Sequence, residues 1–167
     1  MFKIKSLILL FLSFFLLQCS AQIKSSKYTY SVSYIGGGES GLQLTNFLTS
    51  YLKSIKAYDK NSNLKINSSI THRNELYITR VDNTSDRELI TTELSINIQD
   101  IKKKCTILEY TDDIDQYFVI SAATKFISNN KAVEEIKLSN TETLVLDFIE
   151  TLNNYEPKCN EQQYTYN

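Results

Sequence analysis

All four glycines of this 167-residue chain lie in one short segment whose spacing could bind a phosphate group. The segment consists of Gly36, Gly37, Gly38, Glu39, Ser40 and Gly41. Its glycine pattern matches the dinucleotide fingerprint, in which free amides at a helix start attract phosphate. That fingerprint belongs to a parallel strand–helix–strand unit with an acidic residue at the end of the next strand. Here Asp59 precedes that strand, and the strands that follow are predicted to be antiparallel. We therefore predict no cofactor and interpret the segment as a flexible joint or as a recognition loop for a partner.

Few other residues could carry out chemistry. His72 is the only histidine, and it could act as a general base for a serine or for Cys105. Its position beside a predicted turn indicates an exposed strand end instead. Asp112, Asp113 and Asp115 could gather a calcium ion, but a solvated hairpin turn explains them as well. We predict no catalytic residue, no metal site and no enzymatic activity.

The first 21 residues have the pattern of a secretory signal peptide. Lys3 and Lys5 form a basic head, an apolar run follows over residues 6–17, and small residues precede a cleavage site after Ala21. The run is shorter than the about 20 residues of a membrane span. The sequence therefore predicts a signal peptide at 1–21, a single mature domain at 22–167, and export to the periplasm or cell surface. In the alternative interpretation Cys19 carries a lipid anchor, although the residue before it is a glutamine rather than a small side chain.

Export leaves two cysteines in the mature chain, Cys105 and Cys159. An even pair in an oxidising compartment favours a disulfide over two buried thiols. Such a bond would close a long loop and contribute roughly 4 kcal/mol in the chain-entropy model.

The charge of the chain excludes one class of partner. It carries 18 basic and 19 acidic side chains, and loss of Lys3 and Lys5 changes the net charge from −1 to about −3. No basic stripe is visible along the sequence, so we predict no nucleic-acid partner. Contact with a membrane is expected only through a lipid on Cys19.

The elements around the glycine segment are the most regular in the chain. Residues 28–35 alternate like a half-buried strand that places Tyr28, Tyr30 and Tyr34 on one face. This aromatic face is either core or a binding surface. Residues 42–55 repeat at helical spacing, and Ser40 with Gln43 would form a capping box at the helix start.

The remainder of the chain predicts a sheet followed by a helix. Polar turns at 73–74, 83–86, 111–115 and 129–131 separate predicted strands at 64–72, 76–82, 88–99, 103–110, 116–123 and 133–138. Ser139 and Glu142 would cap a second amphipathic helix that continues to Leu152. The predicted fold is α+β, with an antiparallel sheet of six to seven strands and two helices on one face, in the order β-α-β-β-β-β-β-β-α.

Part of the chain resembles a known family. Residues 31–36, a helix, and then residues 63–67, 78–81 and 89–96 are similar in order and sequence to the periplasmic curli-assembly accessory proteins. The resemblance covers about residues 31–98. It implies a small exported adaptor that caps the outer-membrane curli secretion channel and guides fibre subunits to it. It assigns no site residue, and the glycine segment and the strands around residue 113 depart from the family pattern.

These observations predict an exported, non-enzymatic binding or accessory protein with a protein partner in the cell envelope. The glycine segment and the edge of the first strand would form the contact. Two alternatives remain open, a secreted hydrolase or enzyme inhibitor, and a structural envelope lipoprotein anchored at Cys19. Loss of activity on substitution of His72 would favour the hydrolase, whereas lipid on Cys19 would favour the lipoprotein.

Overall fold

The computed structural model describes residues 26–33, 36–77, 87–119 and 126–159, in which four strands form one sheet and two helices cover one of its faces. The elements in chain order are β1 (Ser31–Ser33), α1 (Gly38–Ser54), β2 (Leu64–Tyr77), β3 (Arg87–Asp100), β4 (Cys105–Val119) and α2 (Phe126–Asn153). The α+β class is therefore confirmed, and the prediction of six to seven strands is wrong.

The sheet has the order β1-β2-β3-β4 and mixed strand directions. β1 runs parallel to β2, whereas β2, β3 and β4 pair antiparallel along almost their whole length. The lower end of the sheet is the end where β2 begins at Leu64 and β4 begins at Cys105. The upper end is formed by Tyr77, Arg87 and Val119. At about 3.3 Å per residue the long strands span roughly 45 Å between these ends.

The core lies between the sheet and the two helices. Side chains of α1 and α2 pack on alternate residues of β2 and β3, and the central members are fully buried: Leu44, Leu48, Leu52, Ile66, Leu94, Ile96, Ile98, Leu144 and Phe148. Each such side chain contributes about 1.5–3 kcal/mol by its removal from water. The two helices are also joined directly, because the Tyr51 hydroxyl donates a hydrogen bond to the Glu142 carboxylate.

Two predicted turns lie inside continuous strands. Residues 73–74 belong to β2, and residues 111–115 belong to β4, so the predicted hairpin at Asp113 is wrong. Both segments alternate between the helix-covered face and the open face of the sheet. Thr111, Asp113 and Asp115 are exposed on the open face, where water solvates them without a turn.

The segment predicted as the last strand, residues 133–138, is helical. α2 begins at Phe126, so Ser139 is not a helix cap and its carbonyl accepts a hydrogen bond from the Thr143 hydroxyl at 2.9 Å. Val133 is buried, and Lys137 forms an ion pair with Glu134 at 2.9 Å. Ion pairs between residues three or four apart stabilise a helix, because such residues are neighbours on the helix surface.

The prediction that every strand is antiparallel is wrong for β1. α1 is the crossover that a parallel pair requires, and it returns the chain from β1 to the start of β2. The predicted Ser40 cap is also wrong, because the helix begins earlier and Gly37 is its N-cap residue without a side-chain cap.

Candidate functional site

The glycine segment forms the left-handed joint between β1 and α1. Gly36, Gly37 and Gly38 have φ angles of 106°, 97° and 60°. Side chains with a Cβ rarely adopt this region, so the conformation itself requires glycine. Steric crowding does not require glycine at Gly36 or Gly38, because a Cβ at either position would have no atom within 4 Å.

The same geometry changes one argument about nucleotide binding. β1, α1 and β2 form a parallel strand–helix–strand unit. The prediction that antiparallel strands follow the glycine segment is therefore wrong at β2 with respect to β1, and it no longer counts against the dinucleotide fingerprint. The position of Asp59 ahead of β2 still argues against it. Glu39 lies in the first turn of α1 and accepts a hydrogen bond from Gln43 at 3.3 Å, and its negative charge near the helix start disfavours a bound phosphate. The absence of a cofactor and the role of this segment in recognition remain predictions.

The tyrosines of the first strand do not form an open aromatic face. Tyr30 is 1% exposed, and its burial raises its pKa to about 12. The backbone of Tyr30 is also paired, because its amide donates to the Ala57 carbonyl and its carbonyl accepts from the Asp59 amide. Tyr28 is half-buried against the core, whereas Tyr34 and Cys19 lie outside the described residues. Tyr30 is therefore core.

The predicted disulfide is confirmed, because Cys105 is bonded to Cys159. It fastens the C-terminal tail to the start of β4. The tail is held at a second point, where the Tyr155 hydroxyl donates to the Ile107 carbonyl at 2.7 Å.

His72 lies in the middle of β2 and not at an exposed strand end. It is half-buried, and its Nδ1 is 3.0 Å from the Thr92 hydroxyl, which also accepts from the buried Asn140 at 3.4 Å. Burial and the nearby Lys137 ammonium lower the pKa of His72, with a smaller opposing effect from Glu134. This polar network joins the sheet to α2.

The open face of the sheet carries cross-strand polar pairs in its middle and apolar side chains at its upper end. Arg73 and Glu93 form an ion pair at 3.6 Å. At the upper end the rings of Tyr77 and Tyr117 meet edge to face at 6.1 Å. The large apolar side chains exposed on this face at the upper end are Tyr77, Tyr117 and Val119, whereas Leu76 is exposed on the opposite, helix-covered face. This patch was not predicted from the sequence, because turns were predicted within β2 and β4.

The outer edge of β2 is only partly paired. β1 pairs with three residues, Lys65 to Asn67, and no other strand of the described chain lies beside residues 68–77. Alternate residues of this segment direct unpaired backbone donors and acceptors to the outer edge, and the row ends at Leu76 and Tyr77.

The recesses at the lower end are shallow. Lys27 and Tyr28 line two of them, with volumes of about 260 and 380 Å³. Over the residues that the structure describes, no three acidic, histidine or cysteine side chains gather as a metal site would require. Within that same part of the chain, no helix has the length and apolar character needed to cross a membrane.

Comparison with known proteins identifies a fold and no family. No protein-family model and no curated protein matches the chain. Among solved structures, a minor lipoprotein from Acinetobacter baumannii is similar over 75% of this chain and 92% of its own, with 13% identity and a TM-score of 0.60. A putative lipoprotein from Caulobacter crescentus covers the same shares at 12% identity and a TM-score of 0.47. The rare lipoprotein B from Shewanella oneidensis covers 76% and 96% at 13% identity and 0.46. The chain therefore shares the fold of the Acinetobacter minor lipoprotein.

Proposed function

We propose that the mature protein is a non-enzymatic binding protein of the cell envelope that captures an extended segment of a partner protein along the outer edge of β2. The observation that carries this proposal is the unpaired edge at residues 68–77. An extended chain that adds to such an edge gains main-chain hydrogen bonds, and pockets for alternate side chains give selectivity.

The residue composition of this edge favours capture of a partner strand over protection against strand pairing. Natural sheets protect exposed edges with lysine, proline, bulges or very short strands. Residues 68–77 contain neither lysine nor proline, and their pairing with β3 is free of register shifts. Arg73 and Glu75 balance each other in charge, so the edge is matched to an uncharged strand.

The upper end of the sheet would supply the second part of the contact. Tyr77 is 44% exposed and Tyr117 is 60% exposed, and together with Val119 they offer apolar area on the open face at the end of the edge. Tyrosine contributes a large, rigid contact surface at low entropic cost. A captured strand with an apolar side chain at this level would bury these groups.

The lipoprotein fold supports an envelope location, with either a lipid on Cys19 or cleavage after Ala21. An adaptor for surface-fibre subunits would use the same strand-capture mode. Capture of a fibre subunit would support the role that the curli resemblance implies, and capture of an unrelated protein would count against it. The rival hydrolase depends on His72, whose side chain is engaged with Thr92. Retention of a measured activity in a His72→Ala variant would exclude that role.

The test is capture of a partner from solubilised envelope by immobilised protein, residues 22–167, with mass spectrometry of the retained proteins. A Thr71→Lys/Glu75→Lys variant places lysines on the β2 edge and should weaken capture of the dominant partner at least tenfold. Thr111→Lys/Asp113→Lys is the matched control, because it makes the same charge change on exposed positions of the same sheet face. Equal capture by the wild type and the edge variant, or equal loss in both variants, would contradict the proposal.

The contribution of the glycine segment is tested separately with Glu39→Lys. Glu39 is exposed in the first turn of α1. Weakened capture in this variant would support a recognition role for the segment, whereas unchanged capture would leave it as a structural joint only.

A further inference from the structure

We infer that the lower end of the sheet is a lysine surface that rests on an anionic phospholipid membrane. The inference depends on the envelope location in the proposed function but concerns the opposite end of the molecule from the upper patch. It adds a direct membrane contact that does not require a lipid on Cys19.

The lysines of this surface come from segments that are far apart in the sequence. They lie on the chain entering β1, the end of α1 and the loop after it, the start of β2, the turn between β3 and β4, and the C-terminal tail. The members are Lys27, Lys53, Lys56, Lys60, Lys65, Lys102, Lys103, Lys104 and Lys158. All except the half-buried Lys65 are exposed. Only the fold places them together.

The carboxylates at this end neutralise the surface only in part. Asp100 is buried, and its oxygen accepts a hydrogen bond from the Lys103 amide at 3.0 Å. Asp59 accepts one from the Asn61 amide at 2.9 Å. Glu156 pairs with Lys158 at 3.0 Å, and Glu150 lies on the last turns of α2. Each of these carboxylates keeps its negative charge, but the nine lysines outnumber the four of them and leave a positive surface on a protein whose net charge is negative.

An exposed apolar side chain lies at the start of the lysine run. Ile101 directly precedes Lys102 in the β3–β4 turn and is 53% exposed. Its amide donates to the Asn63 carbonyl at 2.9 Å, which holds the turn against the loop before β2. An isoleucine among lysines matches the boundary between headgroups and acyl chains, where apolar insertion and electrostatic attraction act together.

The path of the chain brings the same end to a membrane anchor. Ser26 lies at the lower end, because its amide donates to the Ile55 carbonyl at 3.2 Å. Cys19 is seven residues earlier, so a lipid there would hold the lower end within about 25 Å of the bilayer. The upper patch and the β2 edge would then point away from the membrane toward a partner.

The expected size of the effect follows from the charges. A lysine near an anionic leaflet raises the affinity roughly fivefold, and this gain declines within a Debye length of about 8 Å at physiological salt. Removal of three lysines should therefore weaken binding on the order of 100-fold.

The test is sedimentation of unlipidated protein, residues 22–167, with vesicles of phosphatidylcholine alone or with about 30% phosphatidylglycerol. We expect binding to the anionic vesicles only, and a decrease as salt rises. The variant Lys102→Gln/Lys103→Gln/Lys104→Gln should lose this binding, and Ile101→Ser should weaken it. The matched control Arg73→Gln/Arg87→Gln/Lys131→Gln removes the same charge away from the lower end and should bind like the wild type.

Three results would overturn the inference: binding to neutral vesicles, equal loss in the lysine variant and its control, or displacement by millimolar glycerol phosphate, which would indicate a site for free phosphate. Circular dichroism establishes that each variant is folded. The edge variant Thr71→Lys/Glu75→Lys should keep vesicle binding while losing its partner. The lysine variant should keep its partner while losing vesicles, so the two proposals fail independently.

Discussion

Removal of the disulfide between Cys105 and Cys159 should cost the protein a large share of its stability. The bond closes a loop of 54 residues. The chain-entropy model gives such a loop about 4 kcal/mol, since the reduced chain has more conformations available when unfolded. The free energy of unfolding of a domain is about 5–15 kcal/mol, so the reduced protein would keep only part of its stability.

The assay is urea unfolding of the wild type and a Cys105→Ser/Cys159→Ser variant, followed by circular dichroism. With a slope of about 2 kcal/mol per molar urea, the midpoint should fall by about 2 M. Reduction of the wild type should produce the same decrease.

A second variant separates the covalent bond from the packing of the tail. Tyr155→Phe keeps the bond and removes only the hydroxyl that donates to the Ile107 carbonyl. It should cost about 1 kcal/mol, the usual net contribution of one hydrogen bond. An unchanged midpoint in the double serine variant would refute the reasoning, and a decrease in Tyr155→Phe as large as in the double variant would show that docking of the tail is responsible.

Two further predictions concern the backbone at Gly37 and the half-buried His72. Gly37→Ala places a side chain at a φ of 97° and should lower the free energy of unfolding by about 1–2 kcal/mol, measured in urea, whereas Gly37→Asn should cost less because asparagine tolerates this region better. His72 has a folded-state pKa below its ordinary 6.5, so below that pH the unfolded chain binds more protons than the folded one and stability falls on acidification. Urea midpoints at pH 7.5 and 5.5 should differ more in the wild type than in His72→Gln, and equal differences in both proteins would contradict the assignment.

Part of the fold could be predicted from local sequence patterns. The helix after the glycine segment could be predicted because its apolar residues repeat at three and four positions, and Leu44, Leu48 and Leu52 are indeed buried. The pairing of Cys105 with Cys159 followed from export and the cysteine count. These features depend on neighbouring residues or on composition, so no knowledge of packing was needed.

The number of strands could not be predicted because one face of the sheet is open to water. Polar residues such as Asp113 and Asp115 have the composition of turns, yet on this face they are solvated within a strand. The sequence around Val133 was similarly ambiguous, since a short apolar alternation fits a strand until Lys137 and Glu134 are seen to pair along a helix.

The sequence by itself determined the class of fold, the covalent link and the first helix, because each depends on local periodicity or on residue types. Only the tertiary structure decided the strand directions, the unpaired edge of β2, the burial of Tyr30 and the lysine surface. These features depend on which distant segments become neighbours. The lysine surface is the clearest example, since Lys27, Lys103 and Lys158 are scattered along the chain and come to the same end of the molecule only in the folded protein.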